Sequence, residues 1–165
     1  MILLQLSRIK QHLYTKGMES EIQEDSNQLC ILFKIGERDF PLFLRIYEGS
    51  ELLQIVAFLP CHTTAETLND TARLLHLLNK ETDTPGFGMD ETSSVVFFRI
   101  MIPGKEKKVD EQVLDAYLHA TQVICNSFAP VIAAVAYGSI TYDALMQQTK
   151  EQGSSSLTQS QMKPL

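Results

Sequence analysis

The chain of 165 residues is long enough to bury a single core, and its formal net charge is −6. This acidic balance argues against a nucleic-acid-binding protein, which would gather Lys and Arg on one face. The three cysteines, Cys30, Cys61 and Cys125, are too few and too scattered for a disulfide framework, so we expect free thiols. No run approaches the ~18 apolar residues that cross a bilayer, and the N-terminus lacks the features of a signal peptide. We therefore expect a cytoplasmic protein with no membrane or nucleic-acid partner.

The first predicted elements are a helix and a short strand. Ile2, Leu6, Ile9 and Leu13 recur at the spacing of one helix face. Residues 18–23 then alternate between apolar and polar side chains, which indicates a half-exposed strand.

Three apolar runs rich in β-branched and aromatic residues follow, at 29–35, 40–47 and 52–59. The gaps between them, 36–39 and 48–51, contain glycine and charged residues, so the simplest interpretation is an antiparallel meander. A meander needs apolar cover on at least one face, and the flanking helices are able to provide it.

A second helix is predicted after Pro60. Its apolar stripe is broader than contact with one sheet requires, so we expect part of it to meet a second subunit. We therefore predict a homodimer with Leu74 and Leu77 at the interface. The stripe consists of Leu68, Ala72, Leu75 and Leu78, widened by Leu74 and Leu77.

The C-terminal half predicts two more strands and a long helix. The strands are placed at 87–90 and 94–102, and Asp110 is placed as the helix cap. The apolar stripe of this helix is assigned to Val113, Tyr117, Ala120, Ile124 and Phe128. A short helix at 141–150 follows, and the Ser/Gln-rich residues 151–165 are predicted to be a disordered polar tail.

The resulting order, α-β-β-β-β-α-β-β-α, favours an α+β fold with an antiparallel β-sheet flanked by helices, in a single domain over residues 1–150. One predicted sheet face is continuously apolar. The other mixes apolar with cationic side chains, and its apolar members are Leu32, Phe43, Tyr47, Phe97 and Met101. Either helices cover both faces, or this second face binds another protein.

Candidate catalytic and metal-binding residues are few. Cys61 and His62 stand side by side at a strand end, but adjacent strand residues point to opposite faces, so they would not readily touch. His12, His76 and His119 lie on three separate helices without metal-ligand spacing. We therefore predict no enzyme, no metal site and no cofactor.

Several short features carry a family resemblance over residues 4–145. They are the helix ending at Gly17, the strand ending at Pro60, Leu77-Leu78-Asn79 in the central helix, Phe87-Gly88-Met89-Asp90 before a strand, and Phe128-Ala129-Pro130 in the last helix. In these the chain resembles the YbjN-like family of bacterial sensory-transduction regulators, whose fold is that of type III secretion chaperones.

The resemblance implies a small, acidic, cytoplasmic protein, often dimeric, that binds other proteins and carries no known catalytic residues. We accordingly predict a non-enzymatic module of the type III secretion chaperone type that holds an extended segment of a secreted protein. The alternative is a regulator that binds a folded signalling or motility protein. A small enzyme that uses Cys61 or the histidines is the third hypothesis.

Overall fold

The computed structural model describes residues 1–35, 37–47 and 51–160, with side chains for all of these except Ile35 and 152–160. In chain order the elements are β1 (Ile2–Leu3), α1 (Leu6–Thr15), β2 (Ser20–Gln23), β3 (Gln28–Ile35), β4 (Arg38–Ile46), β5 (Leu52–His62), α2 (Leu68–Glu81), β6 (Phe87–Asp90), β7 (Val95–Pro103), β8 (Lys108–Val109), α3 (Glu111–Ala136) and α4 (Tyr142–Ser160). The predicted α+β class is confirmed.

Six strands form one antiparallel sheet in the order β2-β3-β4-β5-β7-β6. The meander β3-β4-β5 lies at its centre, as the three apolar runs predict. A buried row crosses four strands, because Leu29 pairs with Leu44, Leu44 with Ile55, and Ile55 with Ile100. The predicted turns include Gly36 and residues 48–50, which lie outside the described residues.

Helices cover the face of the sheet that carries this buried row. Helix α3 lies across β5 and also contacts β3 and β7, while α1 contacts β2 and β3. Helix α2 packs against α3 and β6. Burial of this face removes many large apolar side chains from water, which is the dominant favourable contribution to folding.

The N-terminus and the end of β5 differ from the prediction. Ile2 lies in β1, opposite Val109 of β8, and not on the first turn of a helix. Both side chains are buried, so the short pairing buries the residue that the periodicity assigned to the helix. Strand β1 has only two residues and is too short for any alternation of apolar and polar side chains to reveal it. Strand β5 differs in length, since it continues past Pro60 to His62.

Helix α3 begins where the sequence predicts, and Asp110 caps it by accepting hydrogen bonds from the backbone N–H groups of Gln112 and Val113. The predicted stripe is wrong by one position, since Val113 is 39% exposed and Tyr117 only half-buried. The buried stripe consists of Leu114, Leu118, Thr121, Cys125, Ala129, Ile132, Val135 and Ala136.

The buried stripe of α3 includes a polar residue, Thr121. Thr121 Oγ1 donates a hydrogen bond of 2.8 Å to the carbonyl of Tyr117, so the threonine is satisfied within its own helix and is able to face the core.

By length and composition α3 could also span a membrane, with a mean hydropathy of 1.4 over 18 residues. No such segment was expected from the sequence, because polar residues interrupt the apolar run of this helix. Core helices commonly pass the same test, so this is weak evidence for a membrane span.

Helix α4 runs to Ser160, beyond the predicted start of a disordered tail at residue 151. Its Gln, Glu, Lys, Ser and Thr residues are compatible with a helix, and Gly153 is the one strong helix breaker before Ser160. Arg73 joins α2 to α4, because its Nη2 donates to Asp143 Oδ1 at 2.8 Å and its guanidinium lies 4.1 Å from the centroid of the Tyr142 ring. Residues 161–165 of the predicted tail lie outside the described part of the chain.

Candidate functional site

The second face of the sheet is open to solvent. Its described side chains are half-buried or exposed along all four central strands, so the interpretation with helices on both faces is wrong for the described residues. We call this surface the open face. Its residues are Phe43 and Arg45 on β4 and Tyr47 directly after it, Gln54, Val56 and Phe58 on β5, and Phe97, Arg99 and Met101 on β7, with Leu32 of β3 at one side.

A pair of aromatic rings occupies the middle of the open face. Phe43 and Phe58 meet edge to face, with ring centroids 5.7 Å apart and an interplanar angle of 70°. Phe43 is also opposite Cys30 on one side and Val56 on the other. The two rings are half-buried only by their neighbours in the sheet, and a partner could cover the area that remains.

Phe97 lies beside this pair and depends on a glycine. It is opposite Phe58 on one side and Gly88 of β6 on the other. A Cβ atom at Gly88 would lie 2.6 Å from Phe97 Cζ, so the ring rests directly over the glycine backbone. The guanidinium of Arg99 lies 5.6 Å from the centroid of the same ring. The absence of a side chain at Gly88 therefore sets where Phe97 lies.

A polar group forms the other end of the open face. Gln54 Nε2 donates a hydrogen bond of 3.1 Å to the hydroxyl of Tyr47, and the guanidinium of Arg45 lies 5.3 Å from the centroid of the Tyr47 ring. Arg45, Gln54 and Met101 are opposite one another in register, and Met101 is 39% exposed. Tyr47 is thus held by two neighbours, while Met101 offers an apolar contact beside it.

Leu32 stands apart from the other predicted residues. It is 64% exposed and lies opposite Pro41, at a part of β3 that β2 does not reach, because the pairing of β2 ends at Ile31. A cavity of about 730 Å³ adjoins this edge and is lined by Leu32 together with Tyr14 and Met18. The structure therefore brings Phe43, Tyr47, Phe97 and Met101 onto one surface and places Leu32 at its margin.

Phe58 and Val56 were not predicted as site residues, although both lie at the centre of the open face. The alternation along β5 carried the signal, because Leu53, Ile55 and Ala57 are buried and the residues between them face outwards. Gln54 is the one polar residue in the run 52–59, and its position two and four residues before Val56 and Phe58 marks their side of the strand as outward-facing.

The candidate dimer residues of α2 have different environments. Leu74 is only 2% exposed and packs in the core of its own chain, so its assignment to a dimer interface is wrong. Leu77 is half-buried and remains a candidate. Ala72, assigned to the inner stripe, is exposed, and Thr71 is buried in its place. The hydroxyl of Thr71 donates to the carbonyl of Thr67 at 2.8 Å, which allows it to face the core.

The cysteines are poor nucleophiles in this structure. Cys61 is fully buried on the helix side, and burial raises its pKa to about 11, while His62 points outwards. Burial likewise raises the pKa of Cys125 to about 12. Burial, and then the charge of Glu21, raise the pKa of half-buried Cys30. A reactive thiol needs a lowered pKa and access: Cys61 and Cys125 have neither, and Cys30 is partly accessible but its pKa is raised.

The histidines are likewise dispersed. His12 Nε2 lies 2.6 Å from Asp115 Oδ1, which joins α1 to α3, while His76 and His119 are exposed. Over the described ranges, no three His, Cys, Asp or Glu side chains are grouped to hold a metal ion.

Comparison with curated proteins by sequence gives no match. Among solved structures, the crystal structure of YbjN from E. coli, titled "a putative transcription regulator", has a TM-score of 0.57 and 11% identity, covering 90% of this chain and 96% of that one. The ExsC–ExsE complex gives a TM-score of 0.54 and 14% identity over 78% of this chain and 96% of the other. The HopA1–SchA chaperone–effector complex gives a TM-score of 0.47 and 18% identity, covering 73% of this chain and 89% of the other.

The likenesses to YbjN and to the ExsC–ExsE complex, with TM-scores above 0.5, confirm the predicted α+β fold. A family model described as "Putative bacterial sensory transduction regulator" matches residues 5–134, which is more than half of the chain. The chain therefore belongs to the YbjN family.

Proposed function

We propose that this protein is a non-enzymatic, protein-binding module of the type III secretion chaperone type. It holds an extended segment of a secreted partner against the open face. The observation that carries the proposal is the cluster of Phe43, Phe58 and Phe97, which no helix covers, at the centre of a sheet whose other face packs against helices. Contiguous exposed apolar surface of this kind usually marks a partner site in a soluble protein.

The composition of the open face supports protein binding. Aromatic residues, Met and Arg are enriched at protein interfaces, and all three types are present here. The ExsC–ExsE neighbour was solved as a complex of two proteins, which supports a binding role for the shared fold. We assign the partner contacts to Leu32, Phe43, Tyr47, Phe97 and Met101, as the sequence predicted, and we add Phe58.

We further propose that the protein acts in the cytoplasm as a homodimer, with half-buried Leu77 of α2 at the interface. Since Leu74 belongs to the core of its own chain, this interface is narrower than the sequence suggested. Light scattering tests the dimer: a mass of one chain at micromolar concentration would remove this part of the proposal.

A second candidate is a regulator that binds a folded signalling or motility protein. The description of its family favours this role. The contacts of Tyr47 with Gln54 and Arg45 also favour this role, because hydrogen-bonding groups that are already held in place suit a partner surface of fixed shape. A partner that stays folded when bound, at a defined 1:1 site, would favour the regulator over the chaperone.

Affinity capture from the native cells, followed by mass spectrometry, tests the proposal. The tagged full chain is compared with Phe43→Glu, which places a charge at the centre of the open face. Val123→Glu is the matched control, since Val123 is 47% exposed on α3, which lies on the other face of the sheet. We expect wild type and Val123→Glu to retain a secreted protein through one short segment, and Phe43→Glu to lose it while its circular-dichroism spectrum is unchanged. Equal capture by all three variants would contradict the proposal.

A further inference from the structure

We propose that the open face selects a partner segment in which two carboxylates flank an apolar side chain; this inference rests on the proposed function. Arg45 and Arg99 are both exposed on the open face, Arg99 opposite Val56 at its centre and Arg45 in the polar group at its end. Each lies near an aromatic ring two residues away in the chain, at 5.3 Å from the centroid of Tyr47 and 5.6 Å from that of Phe97. Within the described part of the chain, neither arginine forms an ion pair.

Among the described residues, the acidic groups on this side of the sheet lie towards its edges or strand ends. Asp39 is paired with Lys34, with Nζ 2.9 Å from Oδ1, and Asp90 accepts hydrogen bonds within its own turn. Glu21 lies on edge strand β2. Within the described ranges, the interior of the open face therefore carries Arg45 and Arg99 but no carboxylate, in a chain whose net charge is −6. Such a local reversal of charge favours a partner segment of the opposite sign.

Contact with an aromatic ring leaves both guanidinium groups available for carboxylates. A guanidinium within about 6 Å of a ring centroid is attracted to the ring, and the N–H donors along its edges can still bind other groups. Arginine uses its planar fork to bind carboxylates with two parallel hydrogen bonds. Because Tyr47 and Phe97 attract Arg45 and Arg99, less side-chain freedom is left to lose on binding.

The register fixes the spacing that a partner must match. Arg45 is opposite Gln54 and Gln54 opposite Met101, so Arg99 lies two strands across and two residues along from Arg45. At ~4.8 Å between strands and ~3.3 Å per residue, the two Cα positions are about 12 Å apart. Carboxylates four residues apart in an extended segment are separated by about 13 Å and point to the same side. The side chain midway between them would then lie over β5 between Gln54 and Val56, with Val56 as its apolar contact.

A peptide titration with the full chain tests this inference. The labelled probe is a short peptide with two Glu residues four positions apart and Leu midway between them; the matched peptide carries Lys at both Glu positions. Fluorescence anisotropy at low salt should give about tenfold tighter binding of the Glu peptide, despite the acidic charge of the protein. The double variant Arg45→Glu/Arg99→Glu should reverse this order.

Arg8→Glu is the control for charge, because Arg8 is exposed on α1, away from the open face. It should leave the preference for the Glu peptide unchanged. Equal affinity for both peptides, tighter binding of the Lys peptide, or a preference that survives the double variant would overturn the inference. Phe43→Glu separates the two proposals: if it abolishes capture of a cellular partner while no Glu peptide binds wild type, the proposed function stands and this selectivity is wrong.

Discussion

Asn79 and Phe87 are joined by two hydrogen bonds that run in opposite directions. Asn79 Nδ2 donates to the carbonyl of Phe87, and Asn79 Oδ1 accepts from its N–H group, each at 2.9 Å. The same oxygen also accepts from the N–H of Gly86 at 3.0 Å. One side chain on α2 thus satisfies the backbone of an edge strand, and thereby fixes β6 beneath Phe97 of the open face.

We expect Asn79→Ala to lower the free energy of unfolding by about 2–3 kcal/mol, because three hydrogen bonds in a partly buried site are lost together. Urea unfolding followed by circular dichroism measures the change. Asn126→Ala is the matched control on the exposed side of α3 and should change stability by less than about 0.5 kcal/mol. An equal effect of both substitutions would contradict a special role for Asn79.

The two leucines of α2 should respond differently to truncation. Leu74→Ala removes a fully buried side chain and should destabilise the chain by about 2–5 kcal/mol. Leu77→Ala removes a half-buried one and should cost less in the monomer. Thermal unfolding gives the stability difference, and light scattering shows whether Leu77→Ala alone changes the oligomeric state. A larger loss of stability for Leu77→Ala would contradict the observed burial.

Asp115 should contribute to stability at neutral pH and not in acid. Burial opposes its ionisation, but hydrogen bonds from His12 and Lys16 outweigh this, and the pKa of the carboxyl is lowered below its ordinary value of 3.8. A lowered pKa in the folded state gives stability that is complete above the ordinary value and is lost as the pH falls through the folded value.

We therefore expect Asp115→Asn to cost about 1 kcal/mol at pH 7, and this difference from wild type to vanish in acid below the folded pKa. Urea unfolding across the acid range measures it. Asp83→Asn serves as the control, because Asp83 is exposed and forms no ion pair with any described residue. A stability difference for Asp115→Asn that grows as the pH falls would contradict this assignment.

The three thiols should react with iodoacetamide in the order of their burial. At neutral pH we expect half-buried Cys30 to react first and the buried Cys61 and Cys125 to react slowly, since burial raises the pKa of both. Mass spectrometry of a labelling time course gives each rate, and labelling in urea should make the three rates similar. Rapid labelling of Cys61 in the folded protein would restore the hypothesis of a nucleophilic enzyme.

The sequence predicted the sheet well because its strands carry strong local signals. The runs that became β3, β4 and β5 are rich in β-branched and aromatic residues, and the mixed second face was visible in the alternation along β4 and β7. Whether a helix covers that face depends on how distant segments pack, and the sequence therefore left both alternatives open.

The buried faces of α2 and α3 were harder to predict because each of them includes a polar residue. Thr71 and Thr121 are both buried, and each satisfies its hydroxyl by a hydrogen bond to the carbonyl four residues earlier. A pattern built from apolar residues alone assigns them to the outside and rotates the stripe. The same effect made Leu74 appear to be surplus apolar surface, when it fills the core beside Thr71.

Helix α3 packs against three strands of the sheet, β3, β5 and β7, yet it is synthesised after the whole sheet. All six strands of the sheet precede it in the chain, and at ~5–20 residues per second its 26 residues take about 1–5 s to be synthesised. During that interval both faces of the nascent sheet expose apolar side chains. A protein whose finished form would protect another chain thus itself passes through a stage in which it is prone to aggregate.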